Sequence, residues 1–196
     1  MKPTILITVA VLTACSSAGN AAAAPPAAVT APAAWYYDDG VRRPLSVEPG
    51  LIAEVGPGAE ASLVKALPAA ELVHRSGSVA VFRAAPAEVT RALTSSTRAV
   101  SRVSTVYREG GTPVGRLMAL PGGVLVNFKA GWTEAEIKDF VAKRGLSLGV
   151  RMNLAGNWYT VNTAAGEASL LAANALQESG AVVSASPNWW KETSPR

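Results

Sequence analysis

Between Val124 and Gly145 the chain reads VLVNFKAGWTEAEIKDFVAKRG, and the spacing of its apolar residues changes partway from two to about 3.6. Val124, Val126 and Phe128 alternate with Leu125 and Asn127, which predicts a strand. A helix start follows with three agreeing signals. Thr133 is placed to cap, Glu136 stands three residues later as its capping-box partner, and Trp132 and Ile137 flank them as a hydrophobic staple. Ile137, Phe140 and Val141 share one helical face, and Gly145 after Lys143 and Arg144 suits a helix C-terminus.

The same order of elements is written twice. Trp35 to Pro49 reads as a lead-in: a short strand at Trp35–Tyr37, then a turn at Asp38-Asp39-Gly40. Leu51–Val55 is then a strand and Ala59–Leu67 a helix stopped by Pro68. Leu72–Arg75 and Ser78–Arg83 are strands around Gly77. Pro86 opens a helix with Val89 and Leu93 inward, and Val100–Tyr107 is a strand. The Gly-rich residues 109–116 read as a linker. After them come Val124–Phe128, a helix over Glu134–Arg144, and a strand over Leu146–Leu154 with its alternate residues Leu146, Leu148, Val150, Met152 and Leu154 on one face. A strand over Trp158–Thr163 follows. The last helix, Glu167–Ser179, carries Ala168, Leu171, Ala172, Ala175 and Leu176 on one stripe, and Ala181–Ser186 is the last strand. Strand, helix, strand, strand, helix, strand is the ferredoxin-like order. The expectation is an α+β chain of two tandem ferredoxin-like (βαββαβ) modules, residues 35–108 and 117–190, with a tail at 191–196. Each would have an antiparallel sheet with helices on one face and the other face open. A domain of this size buries only about 60% of its surface, so an open face is a natural docking surface.

Composition changes this picture at the N-terminus. Residues 1–14 read as a signal peptide: Lys2 is its charged end, and the apolar run Ile5–Leu12 is too short to span a bilayer. Leu12-Thr13-Ala14-Cys15 resembles the lipobox of bacterial lipoproteins, a family in which the cysteine thiol is lipidated and the chain is cut before it. That resemblance implies a membrane anchor at Cys15 in the cell envelope. Ordinary secretion to the periplasm or exterior, with cleavage near Ala22–Ala24, is the alternative. Cys15 is the single cysteine of the 196 residues, so it forms no internal disulfide. Residues 15–34, rich in Ala and Pro, read as a tether. The net charge of +4 is scattered, with no basic stripe interleaved with aromatics, which argues against nucleic acid as a partner.

No catalytic constellation can be assembled. His74 is the only histidine, in a strand, and reads as locally bonded. No Cys/His spacing suits zinc, no GxSxG occurs, and no cofactor is implied. Asp38-Asp39 belongs to a turn, Glu134, Glu136 and Asp139 to a helix start, and Gly110, Gly111 and Gly115 to a linker with no helix start after it. The chain is expected not to be an enzyme.

The second unit nevertheless resembles a known family. LPGGVLVNFKAGWTEAEIKDFVAKRGLSL, then NWYTVNT, then a helix and AVVSASPNWW are similar to the N-terminal prodomain of subtilisin-like serine proteases, the fervidolysin type above all. The first unit, YYDDG…RPLSVEPGLIAEV, is similar more loosely and lacks the Pro-Asn ending. The resemblance implies a ferredoxin-like inhibitor and folding template whose open face lies on the protease, with the segment after the last strand extended into the active-site cleft. The chain reaches Arg196 without Asp/His/Ser protease motifs, so the expected partner is a separate subtilisin-like protease. Mapped residue by residue, the open face would carry Ser147, Gly149, Arg151 and Asn153 from one strand. Trp158, Thr160 and Asn162, with Leu125 and Asn127, would come from its neighbours. Trp158 would anchor the protease or pack on the first unit. Pro187, Asn188, Trp189 and Trp190 would lead into the cleft, or the two Trp would cap the domain edge. A second function stays open: an envelope lipoprotein with a structural or adaptor role and no protease partner.

Overall fold

The computed structural model describes residues 34–57, 61–95 and 102–193. These belong to one unit, Pro32–Arg196. The predicted leader and the tether up to residue 33, with Cys15, lie outside the described residues, as do Ala59, Val100 and residues 194–196 of the tail. The fold is α+β, with every strand pairing antiparallel.

The lead-in is a long hairpin. Strands β1 (Ala34–Asp38) and β2 (Val41–Val55) pair from Asp38↔Val41 to Ala34↔Leu45. Asp39 and Gly40 form the turn with φ of 48° and 76°, the left-handed pair that a two-residue hairpin turn requires and that Asp-Gly tolerates. Then follow α1 (Ala61–Ala66), β3 (Glu71–Ser76), β4 (Val79–Arg83), α2 (Pro86–Ser95) and β5 (Val103–Glu109). Residues 109–116, expected as a linker, instead close a second hairpin onto β6 (Leu117–Ala119): the Glu109 amide donates to the Arg116 carbonyl, and Tyr107 pairs with Met118. The chain continues through β7 (Val124–Phe128), α3 (Glu134–Ala142), β8 (Ser147–Arg151), β9 (Asn157–Asn162), α4 (Glu167–Glu178), β10 (Val182–Pro187) and β11 (Trp190–Lys191).

One sheet has the order β11-β6-β5-β2-β4-β3, with β1 paired to β2. The other has the order β10-β7-β9-β8. Each therefore holds four strands in the same arrangement, β5-β2-β4-β3 matching β10-β7-β9-β8. The first sheet departs from the expected open face. Ile52, Ala80, Phe82 and Val89 form a core with Leu63 and Leu67 of the helical side. Leu51, Ala53, Val55, Val79, Val81 and Val106 are buried on the opposite face, with Leu117 and Ala119 of β6. The sheet curls around that second cluster. The path from β3 to β11 is five strand spacings, about 24 Å if flat. Yet His74 of β3 and Trp190 of β11 have ring centroids only 5.3 Å apart. The added strands β6 and β11 thus roll the sheet and seal its free face.

The second sheet packs α3 and α4 on one side. Phe128 sits at the centre of its core, 1% exposed, in ring contact with Trp132, Phe140 and Tyr159. The capping box forms: Thr133 Oγ1 accepts the Glu136 amide, and the Glu136 carboxylate accepts the Thr133 amide. Two expectations change here. In α4 the buried residues are Ser169, Leu170, Ala173, Asn174 and Leu176, while Leu171 is 60% exposed. The helix serves two cores at once. Ala173 and Leu176 face β10 and β7 in the core of the second sheet, and Leu170 enters a cluster with Tyr36, Leu45, Tyr107, Met118 and Leu120. A stripe drawn for one sheet alone is therefore rotated.

The predicted strand Leu146–Leu154 is shortened and bulged. Leu148 faces Val161 but Arg151 faces Tyr159, so β8 uses one more residue than β9 over the same span. Beyond the bulge the sides exchange. Val150 is 70% exposed, and Arg151 stands on the core side with its guanidinium 5.9 Å from the Tyr159 ring. Thr160 Oγ1 accepts the Val150 amide at 2.9 Å and fills the space where a side chain on Gly149 would go.

These assignments separate adjacent leucines. Leu170→Ala should cost about 2–5 kcal/mol, the range for a buried leucine, and Leu171→Ala less than about 0.5 kcal/mol. Urea denaturation of both variants checks the rotated stripe; equal costs would count against it.

Candidate docking surface

The face of the second sheet away from α3 and α4 carries Leu125, Asn127, Trp158, Thr160, Ser184 and Ser186, all half-buried, and exposed Asn162. Strand alternation puts them there, because their neighbours Val124, Val126, Tyr159, Val161 and Ala185 belong to the core. None of the seven is charged. Ser184 and Ser186 come from β10, whose register shifts between Val182 and Ser184. Alternation alone does not locate that shift, so these two serines were not among the predicted face residues.

Trp158 occupies one end of this face. It lines a recess of about 90 Å³ with Tyr37, Asp38, Asp39 and Gly40 of the β1–β2 turn and with Ser184 and Ser186. It is thus both half-exposed on the face and a neighbour of the first hairpin. At the other end, Gly122, Gly123, Leu125, Thr160, Asn162 and Asn188 are among the residues lining a cleft of about 310 Å³. Its polar atoms are carboxamides, hydroxyls and main chain, so it offers hydrogen bonds without a fixed charge.

The other predicted site residues lie elsewhere. Arg151 is off this face, moved by the bulge. Pro187 is buried and pairs with Val124 at the end of β10. Asn188 makes the exit turn: its amide donates to the Gly123 carbonyl at 3.0 Å and its Nδ2 to the Gly122 carbonyl at 3.3 Å. Trp189 and Trp190 do not project from the molecule. Trp189 packs edge-on against Tyr36 and Tyr107, with centroids 5.1 and 6.2 Å away. Trp190 pairs with Ala119 and packs on the sealed face of the first sheet. The residue after β11 stays attached as well, since the Glu192 amide donates to the Leu117 carbonyl at 2.9 Å. The segment expected to enter a cleft is an edge strand here, because two indoles bury more apolar surface in the first sheet than they would free in water.

His74 also differs from expectation. Its Nε2 is buried with no hydrogen-bond partner, and its ring meets Trp190 rather than a local acceptor. Burial in the neighbouring cluster, beside Trp189, pushes the Tyr107 hydroxyl up to about 12. Among the described residues, no group of three or more His, Cys, Asp or Glu could hold a metal ion, and no helix is long and apolar enough to cross a membrane. The proposed lipidation residue, Cys15, lies outside the described residues.

Glu109 fastens β11 from below. Its carboxylate accepts Lys191 Nζ at 2.7 Å and Arg116 at 2.8 Å. The Lys191 bond first, then Arg116, holds its pKa below the ordinary carboxylate value of 4.5. A depressed carboxylate adds stability above its unfolded pKa and loses it as pH falls through the folded one. Stability should therefore fall more steeply in wild type than in Glu109→Gln once pH drops below 4.5. Urea midpoints across that range measure it, and parallel curves would remove the contribution assigned to Glu109.

Comparison with protein-family models, with curated proteins and with solved structures finds no match to this chain.

Proposed function

We propose that this is a non-catalytic, propeptide-like partner of a subtilisin-like serine protease, acting as inhibitor or folding chaperone, and that it docks through the second sheet. In this reading the chain is two ferredoxin-like modules, and only the second keeps a usable face. The observation that carries it is the difference between two sheets of equal strand order. The first has both faces buried, while the second presents Leu125 and Trp158 amid uncharged polar groups. A large aromatic with a polar surround is the usual composition of a binding anchor. The sequence resemblance of residues around Val124–Phe128 and Ala185–Asn188 supplies the partner class. Anchoring at Cys15 in the cell envelope is part of the same proposal.

The capture of Trp189–Lys191 by the first sheet favours a second reading. A module whose end is held in its own sheet suits an envelope adaptor with no protease partner. The two readings separate in one experiment. Purified protein is added to the secreted and envelope fractions of the producing cell, and active serine hydrolases are labelled with a fluorophosphonate probe. Loss of a labelled band is the expected result. An unchanged set of bands would leave the adaptor reading.

Trp158→Ala should restore that band, with binding weakened by roughly 30-fold or more, the scale of a hot-spot side chain. Undiminished inhibition would move the docking surface off this face. Cys15→Ala should release the protein from the membrane fraction; unchanged fractionation would rule out the lipid anchor.

A further inference from the structure

The first sheet ends in a strand that lies outside its four-strand array. β11 has two residues, arrives after β10 has closed the second sheet, and pairs with the three-residue β6. The four-strand arrays β5-β2-β4-β3 and β10-β7-β9-β8 are both complete without it.

The segment is also where hydrogen bonding fails. Four buried side-chain polar atoms of the described residues lack a partner: His74 Nε2, Asn174 Oδ1, Trp189 Nε1 and Trp190 Nε1. Two belong to this segment, and a third, on His74, lies against the Trp190 ring. Buried polar groups without partners oppose the docked state, because water would satisfy all three on release. The segment is held by the burial of two indoles, by the Lys191–Glu109 bond and by the Glu192 amide on the Leu117 carbonyl. Release uncovers the apolar face under Trp190 and parts the Leu117 amide and carbonyl from Glu192, which is what keeps the segment docked at rest, but it leaves no buried charge unpaired. Glu109 keeps both of its bonds from Arg116, at 3.0 and 2.8 Å.

We propose that Trp189–Lys191 is a releasable strap, which leaves β6 as a unit while both four-strand arrays stay folded. Docked, it closes the seam between β11 and β3 over the sealed face of the first sheet. Released, it presents two indoles in an extended segment and opens the seam at His74. Asn188, bonded to the Gly122-Gly123 turn, is the fixed end about which it moves. That the open form is the one a protease meets rests on the function proposed above; the opening itself does not.

Hydrogen exchange on the full chain, followed by NMR, tests the strap without any partner. The Glu192 amide and the indole N–H groups of Trp189 and Trp190 should exchange through one shared opening, at least about 100-fold more frequent than the opening that exposes the amides of β7. Exchange of all three only with β7 would overturn the proposal. So would fast exchange at Glu192 with both indoles still protected, since that is fraying beyond the strap. The double variant Trp189→Ala/Trp190→Ala should keep the amides of β4 and β7 protected to within about tenfold. Loss of that protection would mean the segment is part of the cooperative core, and would sink the idea.

Discussion

The contact on which the rest depends is the apolar cluster of Tyr36, Leu45, Tyr107, Met118, Leu120 and Leu170. It draws on β1, β2, β5, β6 and α4, so it belongs to neither sheet alone. Leu170 enters it from a helix whose Ala173 and Leu176 are in the core of the second sheet. Burial of a leucine or a methionine stabilises by about 1.5–3 kcal/mol, so this cluster joins the sheets more strongly than the exposed bonds beside it. Those bonds, Arg42 and Tyr37 to Glu178, are surface interactions that add orientation more than stability. Asn174 works the same way from inside, its Nδ2 donating to the Trp35 carbonyl at 2.9 Å.

Equal strand order has produced unequal surfaces. In the first sheet Leu51, Ala53 and Val55 are apolar on the side away from the helices, so that side has to be covered, and β6, β11 and the curl of the sheet cover it. In the second sheet the equivalent positions of β7 are Leu125 and Asn127, and those of β9 are Trp158, Thr160 and Asn162. Carboxamides and hydroxyls keep their bonds to water, so nothing drives that face to close. The contrast between Ala53 and Asn127 decides which sheet has a surface to offer.

The C-terminal aromatics show the cost of closure. Two indoles supply the apolar area that seals the first sheet, but their N–H groups find no acceptor there. Trp brings a polar tip wherever it brings its ring, and here the ring is buried in an orientation that leaves the tip without an acceptor.

Local patterns in the sequence determined much of the second unit. Alternation placed Val124–Phe128 to the residue, and Thr133 with Glu136 placed the start of α3, because strand faces and helix caps depend on residues within a few positions of one another. The Asp39-Gly40 turn was legible for the same reason, and so was Trp158 off the core phase. Other features needed partners far along the chain. The bulge that moved Arg151 to the other face of the sheet arises from pairing with β9, and its local sequence reads as unbroken alternation. The stripe of α4 rotated because a second core, formed by residues at least fifty positions earlier, claimed Leu170. The Gly-rich run 109–116 reads alike as a linker or a hairpin loop, and only the pairing of β6 with β5 chose between them. Trp189 and Trp190 carried no local sign of their destination. Apolar side chains state that they will be buried, but not against what; that was settled when the first sheet curled and left a seam wide enough for them.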